Sequence, residues 1–333
     1  MEILVTGAAG LLGGEICTRL ATRGHRVHAL VRRNRHVLAN DGSPVAVESV
    51  LVGDVTAPTL GLRDDAPRCD LVVHCAATTR FDLPEDEYLA TNVGGVRNAV
   101  DFARSRGAAF LHVSTAYVCG KRDGPIGEDD PLPQTGFANG YEASKAEGER
   151  LVRASGLRWA IARPSIVVGE HETGTIRQFD TTYAAFKLIA EGKVRHMEAR
   201  RGATLDFVPI DHVARGIVAL AEDIESAAGK TFHLVSGDAL PVEDFVAAIG
   251  AVPHFNRPEL VDPERFDPAA LPPLERRLYR RVAGLYAAYF QRDPRFDDRA
   301  LRSVTGLACP PTGPAYIARL IEYCMDAGFL PRS

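Results

Sequence analysis

The sequence predicts an α/β protein: a doubly wound parallel sheet followed by a smaller C-terminal α/β part. Three observations carry this. Apolar strand-like runs alternate with helix-like segments as far as Val168, the pattern of a parallel sheet with helices on both faces. A glycine turn, Gly7, Gly10 and Gly13, separates the first strand from the first helix. Beyond Gly169 the alternation loosens. The expected organisation is therefore a dinucleotide-binding part over 1–168 and a smaller substrate-binding part over 169–333, partly interleaved with the first.

The 333 residues suffice for a substantial core in one large domain or two. A net charge of -4 argues against general nucleic-acid affinity. No apolar run approaches membrane-spanning length, and Met1 leads straight into the first strand, which points to the cytoplasm. The six cysteines form no CxxC pair and sit in apolar patterns, so they read as reduced core residues.

Ile3 to Val5 is the first strand, and Glu15 to Arg23 carries Ile16 and Leu20 four apart, on one helix face. Strand, glycine turn (with Leu11 and Leu12 inside it) and helix make a nucleotide site. Glycine lets backbone amides approach a pyrophosphate, and the helix N-terminus adds free N–H groups and a positive dipole end. The spacing is GxxGxxG rather than GxGxxG, so the turn needs its strand and helix to carry meaning. The second strand, His28 to Val31, ends in Arg32-Arg33. An acidic residue there would suit the ribose hydroxyls of NAD; guanidinium suits the extra phosphate of NADP. The cofactor expected is NADPH. Val45 to Val52 is a third strand closing on Gly53-Asp54-Val55, where Asp54 either reaches an adenine edge or caps a turn.

Asp70 to Ala77 is an apolar strand whose small residues Ala76 and Ala77 leave room for a cofactor. Leu83 to Arg106 is mostly helical, with Asn92-Val-Gly-Gly in its middle. Two glycines inside a helix cost roughly 1 kcal/mol each against alanine, which predicts close packing against another backbone and an inward-facing Asn92. Ala109 to Val113 is the fifth strand, followed by Ser114-Thr115. Lys121 to Gly140 is a surface loop, a helix runs from Gly140 to about Ser155, and Trp159 to Val168 is a strand broken by Arg163-Pro164. In the second part, helices are expected over Phe179–Glu191, from an Asp211 cap to about Leu220, over Val242–Ile249, Leu274–Gln291 and Ala315–Met325. Strands are expected over Leu205–Pro209 and Lys230–Val235. Ala251 to Pro273 reads as irregular.

Tyr141 and Lys145 lie four apart at a helix start, on one face. An ammonium near a phenol favours the phenolate and lowers the tyrosine pKa. Such a tyrosine can protonate a carbonyl oxygen as hydride reaches carbon. Thr115, at the end of the preceding strand, offers a second hydroxyl to the same oxygen. YxxxK alone is common in helices; after a nucleotide-binding turn, with a Ser/Thr at the preceding strand end, it is specific.

These residues resemble the extended short-chain dehydrogenase/reductase superfamily. The resemblance covers nearly the whole chain: Thr6 to Gly13, Gly53-Asp-Val55, His74-Cys-Ala-Ala77, Asn92-Val-Gly94, Ser114-Thr115, Tyr141 to Lys145 and Arg163-Pro164. It implies a Rossmann-type sheet and an oxidoreductase in which Tyr141 is the acid and Thr115 orients the substrate carbonyl. Lys145 would bind the ribose and tune Tyr141, Pro164 would lie beside the nicotinamide, and Asn92 would support Lys145 through a water chain. Within the superfamily, His112 to Tyr117, Leu205 to Asp211 and the Phe296-to-Pro310 region look like the fatty acyl-CoA reductase and thioester reductase branch. That implies an acyl thioester, on coenzyme A or a separate carrier protein, reduced to an aldehyde, with a second reduction to the alcohol left open. Unlike larger members, the chain is expected to work without an adenylation or carrier domain of its own, and Cys119-Gly120 replace polar residues often seen after Thr-Ala-Tyr.

Two other readings remain open: reduction of a small ketone or aldehyde, and a nucleotide-sugar epimerase or dehydratase, against which Arg32-Arg33 count. Arg195, Arg200, Arg201 and Arg276 to Arg281 are candidates for coenzyme A or carrier phosphates, or are solvated charges. His74 reads as a core histidine. Tyr279, Tyr286, Tyr289 and Phe290 recur at roughly helical spacing, as core or as the wall of an acyl tunnel. The sequence leaves the oligomeric state open.

Overall fold

The computed structural model describes residues 1–63 and 66–333. Its centre is a seven-stranded sheet built from β1 (Glu2–Thr6), β2 (Arg26–Val31), β3 (Ser49–Val52), β4 (Leu71–His74), β5 (Ala109–Val113), β6 (Trp159–Pro164) and β7 (Lys230–Leu234). The spatial order is β7-β6-β5-β4-β1-β2-β3, and every pairing is parallel. Chain direction across the sheet reverses between β1 and β4, and ligands of such sheets bind in the crevice at that switch point, outside the carboxyl ends of the strands.

The central strands are mostly apolar because both faces are covered, whereas the edge strand β3 leaves Val50 and Val52 exposed. Ile3, Val5, Leu71, Val73 and Leu111 point to one side, against Ile16 and Leu20 of α1 (Leu11–Thr22). Leu4, Val72, Phe110 and Ile161 point to the other, against Val96, Val100 and Ala103 of α2 (Gly95–Arg106) and Val152 of α3 (Gly140–Arg153). Fully burying one such side chain contributes roughly 1.5–3 kcal/mol. A third apolar cluster belongs to the second part and includes Phe186 and Ile189 of α4 (Thr181–Ala190). The second part also returns to the sheet. Helix α5 (Ile210–Glu222) packs Val213 and Ile217 on the α1 side, and β7 pairs with β6, Lys230 opposite Ala160 through Leu234 opposite Pro164.

Several elements differ from expectation for local reasons. The third strand starts only at Ser49, because Val45 turns back and donates its amide to the Val37 carbonyl at 3.0 Å. The expected strand over Leu205–Pro209 splits at Asp206: Thr204–Leu205 and Phe207–Pro209 pair in different sheets. Asp206 is buried there, accepting from the Ser165 hydroxyl at 2.5 Å and the Ser236 amide at 2.8 Å. Asp211 does not cap its helix; Pro209 precedes α5, and Asp211 accepts the His171 amide at 3.0 Å. The segment after Leu83 is helical but passes through a π-turn at Leu89–Gly94. A Cβ on Gly95 would meet the Val55 side chain at 3.1 Å and one on Gly94 the Leu89 carbonyl at 3.3 Å. The close neighbours are therefore a side chain and the helix's own carbonyl, not a second backbone. The run from Pro273 to Gln291 likewise changes pitch, from α through π to 3-10. A helix over Arg299–Thr305 and a parallel strand pair, Gly124–Ile126 with Pro294–Phe296, were not legible in the sequence.

Candidate active site

A cavity of about 720 Å³ runs along the carboxyl ends of β1, β2, β4, β5 and β6. Gly7, Gly10, Leu11, Leu12 and Gly13 line it at the start of α1, Arg32 and Arg33 at the end of β2, and Asp54 and Val55 after β3. Ala76 and Ala77 follow β4, and Thr115, Tyr141, Lys145 and Pro164 form its far end. The glycines are required sterically. Gly7 has φ of +70°, and a Cβ on it would lie 2.8 Å from the Ala76 amide nitrogen; one on Gly13 would lie 2.2 Å from the Gly7 carbonyl oxygen. The result is a bare backbone wall facing a helix N-terminus, the local geometry that accepts a pyrophosphate. Elongated shape, glycine wall and a basic end together fit a dinucleotide.

At the basic end Arg32 and Arg33 are exposed, and Arg32 Nη1 lies 3.9 Å from Asp54 Oδ2. Asp54 closes a turn: Oδ1 accepts the Thr56 amide at 2.9 Å and hydroxyl at 2.8 Å, and the residue also lines the cavity. Asn92 does not line the cavity. It is buried, accepts the Thr78 amide at 2.8 Å, and donates to the Thr78 carbonyl at 3.1 Å and to Ser144 Oγ at 2.9 Å. It thus ties the wall after β4 to the helix that carries Lys145.

At the far end Tyr141 and Lys145 share one face of α3, whose N-terminus is capped by Asn139 accepting the Glu142 amide at 3.0 Å. The Thr115 hydroxyl hydrogen-bonds the Tyr141 phenol. Lys145 is buried and donates to the Val113 carbonyl at 2.6 Å. Burial pushes its pKa down to about 8, against opposing pulls from Cys75 and Glu149. The Tyr141 phenol is not lowered as expected. Protein atoms ring it, and this desolvation pushes its pKa up; the Thr115 hydrogen bond pulls back only in part. His74 is the core histidine expected: it is buried, its Nδ1 is 2.9 Å from Thr6 Oγ1, and burial with the Lys145 charge takes its pKa down to about 3.

A second cavity, about 220 Å³, opens from this end. Thr79, Thr115, Tyr141, Ser165, Val167 and Asp180 line both cavities, so the two meet at the candidate catalytic hydroxyls. Apart from Thr182 its remaining walls are apolar or aromatic and come largely from the second part, including Tyr286, Tyr289 and Phe290. Tyr279 stands apart, donating its hydroxyl to Glu198 at 2.8 Å. Phe81 stacks on Tyr289 (centroids 5.7 Å, 7° between planes) and lies 5.7 Å from Tyr141.

Two residues the sequence did not single out fasten these walls to α3. Arg292 is buried, with its guanidinium 4.5 Å from the Tyr289 ring centroid and 4.7 Å from that of Tyr117. It pairs at 2.5 Å with Glu142, the buried neighbour of Tyr141. A buried arginine is legible only once its carboxylate is known, and these two are 150 positions apart. The candidate phosphate ligands are partly engaged elsewhere: Arg195 donates to the Gly192 carbonyl, Arg200 to Gln291 and Asp123, and Arg276 to Ala269.

A family model described as "Male sterility protein", an NAD-binding family, matches residues 5–217. The chain belongs to this family. It is an NAD(P)-dependent oxidoreductase of the extended short-chain dehydrogenase/reductase type, in the thioester reductase, or R-domain, group. The reductase superposes on the terminal R domain of the myxalamid PKS-NRPS biosynthetic pathway with a TM-score of 0.82 at 26% identity, covering 99% of this chain and 92% of that one. It is 30% identical over 329 residues to the 3-diazoavenalumate denitrifying reductase of a Streptomyces species, covering 95% of this chain and 98% of the relative. It is 28% identical over 255 residues to a farnesyl-dihydroquinoline-oxide ketoreductase of Stigmatella aurantiaca, covering 75% and 72% respectively. UDP-galactose 4-epimerase shares the fold, at a TM-score of 0.70 and 20% identity, over 98% of this chain and 99% of that one.

Proposed function

We propose that the reductase uses NADPH to reduce an acyl thioester, carried on coenzyme A or a separate carrier protein, to the aldehyde. The observation that carries this is the junction of the two cavities: an elongated glycine-walled cleft meets an apolar chamber at Thr115 and Tyr141. Membership of the thioester reductase group supports the substrate class, and Arg32 and Arg33 support NADPH over NADH.

When bound, the reduced cofactor supplies hydride. The protein's own residues do the rest. Thr115 and Tyr141 hydrogen-bond the substrate carbonyl oxygen and stabilise the charge that develops on it. Tyr141 then gives its proton to that oxygen. Its raised pKa keeps the phenol protonated and able to donate before hydride arrives. Lys145 stays charged below about pH 8 and is placed to bind the ribose. Pro164 lends no N–H to the cavity wall beside it. The product hemithioacetal expels the thiol and leaves the aldehyde.

A second reading is favoured by one observation. The relatives whose whole length this chain approaches are named as reductases of small molecules, not as parts of synthetases. Reduction of a small ketone or aldehyde uses the same hydroxyl pair. The test is NADPH consumption with a panel of acyl-coenzyme A and acyl-carrier thioesters beside the matching free aldehydes and ketones. Thioester turnover with aldehyde release is the expected result. Turnover of free carbonyls with every thioester untouched would select the second reading.

A further inference from the structure

The chamber itself narrows the substrate. Its volume of about 220 Å³ is half again that of a cavity of roughly 150 Å³ that binds benzene. That is room for one ring with a short arm to the reacting carbonyl, not for a long chain. The walls beyond Tyr141 combine aromatic rings with aliphatic side chains such as Ile166, Leu205 and Leu320, and the rings offer faces and edges for contact. Phe81 and Tyr289 are nearly parallel, with Tyr286 5.2 Å from Phe81, and Phe207 lies 5.6 Å from Phe245. Ring pairs gain most at centroid separations of about 4.5–7 Å. Acidic Asp180 stands at the mouth, where the chamber joins the cleft; no charged residue lines the chamber deeper in among the described residues.

On one side the chamber ends at a partition. A second void of about 20 Å³ lies beyond it, and Ala185, Ile189 and Phe290 line both spaces. Phe290 is the large member of that partition, 6.5 Å from the Phe245 ring. A flexible chain folded into a chamber of this size would also lose rotamer freedom. A planar ring does not incur this loss.

We propose that the group beyond the reacting carbonyl is a single uncharged aromatic ring, and that Phe290 is the residue that sets this limit by closing the chamber. The proposal rests on the reading of this chamber as the substrate site, and its test separates the ring from the thioester. Benzoyl-, cinnamoyl-, hexanoyl-, octanoyl- and dodecanoyl-coenzyme A are assayed with NADPH, next to benzaldehyde, cinnamaldehyde, octanal and dodecanal. The expected result is kcat/KM at least about tenfold higher for the aryl members in whichever class turns over, the difference of about 1.4 kcal/mol expected from one or two aromatic contacts. Aryl preference among aldehydes alone would remove the thioester and keep the ring. Equal or higher kcat/KM for octanoyl or dodecanoyl substrates overturns the ring in either class. Phe290→Ala, with Phe290→Leu as the milder variant, is expected to raise kcat/KM for the dodecanoyl member relative to the cinnamoyl one; an unchanged ratio in both folded variants removes Phe290 as the limit. Independently of turnover, cinnamyl alcohol is expected to raise the Tm of the reductase more than 1-decanol at equal concentration, and the reverse order counts against the ring.

Discussion

The two cavities that meet at Tyr141 are made in opposite ways. The cleft is shaped by what its residues lack: Gly7, Gly10, Gly13, Ala76 and Ala77 withhold side chains so that backbone comes close. It is drawn from short consecutive stretches after successive strands, each fixed in place by the sheet. The chamber is shaped by bulk. Phe81, Tyr286, Tyr289, Phe245 and Phe290 come from segments far apart in sequence and are held by packing and by one buried ion pair. Backbone sites tolerate little change and serve one ligand class; side-chain sites can be recut by single substitutions. One fold can thus keep a cofactor and vary a substrate.

The sharpest break between the two cavities is chemical. Tyr141→Phe keeps the ring in both walls and removes the proton, so kcat is expected to fall by roughly 10²–10⁴ while NADPH affinity, measured by fluorescence titration, changes little. Retained turnover would assign the acid elsewhere. Next comes the fastening of the chamber. Arg292→Met leaves the Glu142 carboxylate buried without its partner, and breaking such a pair typically costs about 3–5 kcal/mol. A matching fall in urea midpoint is expected, with partial recovery on adding Glu142→Gln. A midpoint within experimental error of wild type would show that the pair does not hold the walls.

The third prediction uses the shifted lysine. Because the folded pKa of Lys145 is lowered to about 8 from 10.5, the folded protein loses this proton first as pH rises. The charged form proposed to bind ribose is present below about 8, so kcat/KM should drop up to tenfold per pH unit above it. Between about 8 and 10.5 the unfolded chain holds more of this proton, so this residue's contribution to stability rises with pH. Activity and the wild-type minus Lys145→Met stability difference should therefore move in opposite directions; movement together would place the titration on another group. The smallest effect belongs to the cofactor's far end. Replacing both Arg32 and Arg33 by alanine should reduce the NADPH-over-NADH ratio of kcat/KM about tenfold or more, since a hydrogen bond to a charged group contributes roughly 1.5–3 kcal/mol. A wild type indifferent to the two cofactors would refute the assignment outright.

The cleft could be read from the chain because its signals are local. A strand, three glycines at fixed spacing and a helix are enough to place Gly7 to Gly13. The small pair Ala76-Ala77 and the Tyr141–Lys145 spacing each fall within five residues of one another. What failed locally failed for lack of context. The Tyr141 pKa direction depends on burial, which is not visible in a YxxxK spacing. Asp206 and Asp211 occupy places where a strand and a helix cap were expected, but each has a partner on another segment, Ser165 and Ser236 for one and His171 for the other.

The sequence by itself determined the parallel sheet, its glycine turn and the Thr115, Tyr141 and Lys145 set, because those rest on periodicity and spacing within a few residues. Only the tertiary structure decided that β7 of the second part completes the sheet and that Asn92 braces the wall rather than lining it. It alone also shows that Tyr286, Tyr289 and Phe290 line the chamber, Tyr289 and Phe290 while also packing on the core of the second part. These depend on which helical face meets which neighbour, and on pairs such as Glu142 with Arg292 whose distance in sequence hides their contact in space.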